Sequence, residues 1–140
     1  MRRLVLASAC ALGIAVTGAA PAMAGSPHFI KSATSASASG DTLTVSGKEA
    51  GLGDEDQVHI VLNATALCIN NGGHHPKAVN KADVTGAGDF PVQNAKADFT
   101  LSATASFQPD CSSPMTVAFT GITVTDTTNG ISLSVPGTLP

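Results

Sequence analysis

The chain is predicted to be all-β: an antiparallel β-sandwich of about seven short strands, immunoglobulin-like in outline and stapled by one disulfide. A small β-barrel is the alternative. Three observations carry this prediction. Apolar residues alternate with period two in segment after segment. Gly, Pro, Asn and Asp punctuate the chain every 8–14 residues. No segment after the N-terminal leader shows helical periodicity.

The leader is read first. Arg2 and Arg3 form a basic start, Leu4 to Val16 is mostly apolar, and Ala22-Met23-Ala24 is a small-residue cleavage site. Residues 1–24 are therefore expected to be a secretory signal peptide. The apolar run of 13 residues falls short of the roughly 20 that a spanning helix needs. Residues 25–140 are expected to form a single secreted domain, extracellular and free of the membrane after cleavage.

The strands follow in order. Segment 30–38 is rich in Ser, Thr and Ala and leads through a turn at Ser39–Asp41 into segment 42–48, where Leu43 and Val45 alternate with threonines. Lys48 to Asp56 reads as an acidic loop in which Leu52 tucks under the sheet. The longest strand is expected over 57–69, with Val58, Ile60, Leu62, Ala64, Ala66 and Cys68 on one face. Asn70 to Lys77 is a loop, because Asn-Gly and Gly-Gly favour positive φ and Pro76 blocks strand pairing. Strands over 82–92 and 96–106 follow, the first interrupted by Gly86 and Gly88. The strand over 116–127 changes the parity of its apolar positions between Phe119 and Ile122, which predicts a bulge near Gly121. Asn129-Gly130 signals a two-residue hairpin into the last strand, 131–136.

The cysteines supply the staple. Cleavage removes Cys10 and leaves Cys68 and Cys111, which allow one intramolecular bridge in an oxidising compartment. Closing such a loop is worth roughly 4 kcal/mol in the chain-entropy model. The staple matters because the region 25–140 carries only 26 Val, Ile, Leu and Phe residues and no Trp or Tyr. A core that thin leaves a small domain short of stability.

Composition also excludes partners. Both arginines lie in the leader, so residues 25–140 hold five lysines against ten acidic residues. An acidic chain without a basic patch is unsuited to nucleic acid or anionic membrane. No G-x-S-x-G elbow, P-loop, dinucleotide fingerprint or Cys-x-x-Cys is present. Asp54-Glu55-Asp56 lacks the spacing of a calcium loop and reads as a solvated turn. Without Trp or Tyr there is no aromatic platform on which a sugar ring would stack.

Several segments together resemble a group of small secreted proteins of streptomycetes and related actinobacteria. They are PHFI at 27–30, KEAGLG at 48–53, CINNGGHHPKAVNK at 68–81, the second cysteine at 111, and Thr125-Asp126 ahead of a PGT tail. The resemblance implies a bacterial source and export. It attaches no activity, so no functional residue is carried over from it.

The expectation is a non-enzymatic extracellular binding or structural module, without cofactor, whose partner is a protein or a cell surface. The preferred contact region is the loop beside the cystine, with Asn71, His74, His75 and Lys77. The alternative is a secreted metal-binding protein using His74 and His75, with His59 as a third ligand. A third reading is a small hydrolase whose residues no motif identifies.

Overall fold

The computed structural model describes residues 25–70 and 80–140. Eight antiparallel strands form two open four-stranded sheets. They are β1 (His28–Phe29), β2 (Ser35–Ser39), β3 (Thr42–Ala50), β4 (Gln57–Ile69), β5 (Lys81–Pro91), β6 (Lys96–Thr104), β7 (Thr116–Asp126) and β8 (Ile131–Val135). In the first sheet β3 is central, with β6 on one side and β1 and β2 sharing the other. The second sheet runs β5-β4-β7-β8. The fold is a sandwich rather than the barrel, because neither sheet closes on itself.

Alternation decides which side chains enter the core. Leu43 and Val45 on β3 and Ala97, Phe99, Leu101 and Ala103 on β6 face inward from the first sheet, and all are buried. The predicted row on β4, from Val58 to Cys68 in steps of two, faces them and is buried throughout. Phe99 sits at the centre of an aromatic cluster, edge-on to Phe29 at 5.7 Å and to Phe90 at 6.1 Å between ring centroids. Leu52 is fully buried, and its N–H donates to the Ala95 carbonyl, 3.0 Å. Leu52→Ala is expected to cost about 2–5 kcal/mol, measured by urea unfolding.

Several expectations are met closely. The long strand spans Gln57–Ile69. The bulge near Gly121 is present: Asn63 pairs with Thr123 but Thr65 pairs with Thr120, so β7 carries one extra residue there. Gly121 takes φ +62°, a conformation that disfavours any side chain. Cys68 and Cys111 are bridged, with Cα atoms 5.7 Å apart. The bridge ties the end of β4 to the β6–β7 connection; it does not cross the core between sheets as an antibody-domain disulfide does.

Three elements differ from expectation. The first strand is broken into β1 and β2 by a 3-10 turn, Lys31–Ala33, in which the Ala33 N–H and the Thr34 hydroxyl both donate to the Ile30 carbonyl. Strand β3 runs on to Ala50, so Glu49 belongs to a strand and not to the acidic loop. The Asn129-Gly130 turn is longer than two residues, since Asp126 pairs with Ile131 across Thr127, Thr128, Asn129 and Gly130. Asp126 imposes that length by capturing the turn's N–H groups.

Glycine in β5 brings the two sheets together on one side. A Cβ placed on Gly86 would lie 2.3 Å from the Ser102 carbonyl oxygen of β6. Backbone cannot move aside as a flexible side chain can. Gly86→Ala should therefore destabilise the fold by about 1–3 kcal/mol, and a chemical-unfolding midpoint unchanged from the parent chain would contradict that.

Candidate functional site

Asn71, His74, His75 and Lys77 lie outside the described residues. His59 is on the outer face of β4, where its Nδ1 meets Asp89 Oδ1 of β5 at 2.7 Å, both side chains well exposed. It lies near the start of β4, about 34 Å of extended chain from the end at which residues 71–79 depart. Among the described residues, no group of three or more His, Cys, Asp or Glu side chains is arranged to hold a metal ion.

The unusual chemistry lies at the pole away from the cystine. Glu49 continues the inward parity of Leu43 and Val45 on β3, and Asp126 continues that of Ile122 and Val124 on β7. Both carboxyls are fully buried, and they are the only buried charged or polar residues among those described. The two come from opposite sheets and meet at the end of the core.

Their environments differ. Asp126 Oδ1 accepts the N–H of Thr128 at 2.8 Å and of Asn129 at 3.2 Å, while its Oδ2 accepts Asn129 Nδ2 at 2.6 Å. The same Nδ2 reaches Glu55 Oε2 at 3.1 Å, so one carboxamide joins the turn to the β3–β4 connection. Neither carboxyl oxygen of Glu49 has a hydrogen-bond partner among the described residues while the group is ionised. The Asp126 carboxyl lies beside it, and two carboxyls can bond only through a proton held between them. Burial, that bond, and the negative charges of Asp126 and Glu55 push the Glu49 carboxyl up from 4.5 to about 8. Asp126 is already satisfied by N–H donors, so the proton belongs on Glu49.

A second feature is the outer face of the first sheet. Register sets three rows across β2, β3 and β6: Ser35, Ser46 and Thr100; Ser37, Thr44 and Ser102; Ser39, Thr42 and Thr104. All nine side chains are hydroxyls. Cross-strand pairs bond at 3.1 Å (Thr42 and Thr104), 3.0 Å (Thr44 and Ser102) and 3.0 Å (Ser46 and Thr100). Strand geometry spaces the hydroxyls about 4.8 Å apart between strands and about 7 Å apart along them. No charge lies within the array. The exposed Lys48–Asp98 pair, 3.3 Å, bounds one end, and Asp41 lies at the other.

Both features were written in the parity of the chain. Extending the alternation of Leu43 and Val45 by two steps reaches Glu49, and extending that of Ile122 and Val124 by one reaches Asp126. Assigning Glu49 to a loop conceals it. That the two carboxyls meet is a fact of sheet packing and has no local signal.

No family model, curated protein or solved structure matches this chain.

Proposed function

We propose that this chain is an exported, non-enzymatic binding module that lies flat on a neutral, hydroxyl-rich polymer of a cell surface. The reading rests on one observation, the uncharged lattice of nine hydroxyls on the outer face of β2, β3 and β6. Each hydroxyl has one donor and two acceptor sites, so a single cross-strand bond leaves capacity for a ligand. A regular, uncharged array matches a regular, uncharged partner, and many weak contacts along a polymer sum to useful avidity.

The contact would be made by hydrogen bonds without ring stacking. All five phenylalanines are buried or half-buried in the core, so the face suits an extended chain rather than a single sugar in a pocket. The Glu49 carboxyl supports the same reading: in the closed fold it is buried, and a general acid must reach the atom it protonates.

The test is co-sedimentation with insoluble neutral polysaccharides and with isolated cell walls. The protein should pellet with at least one of them, and Thr44→Val with Ser102→Ala, which removes two hydroxyls of the outer face without adding charge, should weaken pelleting while leaving the unfolding free energy within about 1 kcal/mol of the parent. Undiminished binding by the double variant would remove the hydroxyl face from the reading. Intact mass of the exported chain tests the leader: it should begin at Gly25 and lack two hydrogens. Retained zinc or copper in native mass would instead favour the His74, His75 and His59 alternative.

A further inference from the structure

We propose that Glu49 and Asp126 share one proton across the two sheets, and that this proton is a latch whose loss opens the pole formed by the Thr127–Gly130 turn and the 51–56 connection.

The latch joins three parts of the chain. Glu49 is carried by β3 of the first sheet and Asp126 by β7 of the second. Asp126 in turn holds the turn through the N–H groups of Thr128 and Asn129 and through Asn129 Nδ2. That carboxamide also grips Glu55 in the connection between β3 and β4. The Gly130 N–H closes the turn on the Asp126 carbonyl at 2.8 Å. One carboxyl proton is therefore shared by both sheets and both loops at this end.

Among the described residues, the surroundings hold no counter-charge to replace it. Glu55 and Asp126 face Glu49, and both are acidic. From β6, Lys96 and Asp98 flank Ala97 and point outward into solvent. From β1, His28 is exposed and its Nδ1 is bonded to the Ser26 carbonyl at 2.8 Å. From β4, His59 faces outward onto Asp89. From β8, Ile131 carries no charge. Removing the proton would leave two adjacent carboxylates in a sealed site with a third close by.

Ionisation and opening are coupled for a simple reason. Both carboxyls are fully buried, so a base in solution meets the proton only when the pole has opened. The step breaks one O–H bond on Glu49, passes the proton to water or buffer base, and leaves a carboxylate that hydrates in the open form. Reprotonation closes the pole. Solvent thus reads one proton as the position of two loops, while the cystine at the other end keeps the rest of the sandwich intact.

The test uses the oxidised protein with labelled carboxyl carbons, followed by NMR from pH 4 to 10, alongside amide exchange corrected for intrinsic rates. The Glu49 carboxyl should titrate with a midpoint near 8. The amides of Asn129 and Gly130 should lose at least tenfold protection with the same midpoint. Glu49→Gln should remove both transitions. Asn129→Ala, which frees the turn from Glu55, should lower the protection of the turn amides and bring the Glu49 midpoint down with it. An ordinary Glu49 midpoint near 4.5 would overturn the proposal. So would a raised midpoint with unchanged protection of the turn, which would make the pair a buried spectator. Protection that depends on added Ca²⁺ and is lost with EDTA would also overturn it, because a cation rather than a proton would then hold the pole.

Discussion

Between about pH 4.5 and 8 the protein is expected to lose stability as the pH rises, by roughly 2–4 kcal/mol. In the unfolded chain Glu49 ionises at its ordinary value. In the folded chain it keeps its proton up to about 8. Across that window the unfolded state releases a proton that the folded state holds, so unfolding becomes progressively favoured. Below the window both states are protonated, and above it both are ionised, so the slope from this residue vanishes on either side. Glu49→Gln supplies a neutral group of the same size whose amide can donate to Asp126. It should flatten the profile and raise stability most at pH 8–9. Denaturant midpoints at pH 5, 7 and 9 for parent and variant decide the matter: parallel profiles would show that Glu49 ionises alike in both states.

Breaking the Cys68–Cys111 bridge is expected to have the other large effect. The bridge closes a loop of 43 residues and is worth about 2–4 kcal/mol. For a domain of this size each kcal/mol moves the melting temperature by about 4 °C, so a fall of about 8–16 °C is expected. Alanine is the right replacement, since Cys68 is 2 % exposed and serine would bury an unpaired hydroxyl. Thermal unfolding of Cys68→Ala with Cys111→Ala, and of the parent with and without reductant, should give similar shifts. A change of a degree or two would mean that the core alone sustains the fold. The double variant should also lose order first around the β6–β7 connection and the end of β4, where the bridge is anchored. The Glu49 pole, at the opposite end, should keep its pH dependence.

Much of the fold was legible because strand alternation is a local property. The inward row from Val58 to Cys68, the bulge at Gly121 and the single possible cystine follow from residue type and spacing. The break at Lys31–Ala33 was less legible. Ser, Thr and Ala in alternation suit a strand, and only the captured Ile30 carbonyl shows the turn. The turn after β7 was misread for a related reason. Asn-Gly favours a two-residue hairpin, but the Asp126 carboxylate just before it binds the N–H groups of Thr128 and Asn129 and lengthens the loop.

The sequence by itself determined the class of fold, most of the strands, the staple and the inward or outward face of the residues within those strands; Glu49 joins them only once β3 is extended to Ala50. Period-two alternation assigns every residue to a face without reference to any other strand. Only the tertiary structure decided that Glu49 and Asp126 meet, and that three separate Ser and Thr rows align into one lattice. Both depend on which strands become neighbours and in what register. Long-range pairing and sheet packing set those relations, and no window of the chain contains them.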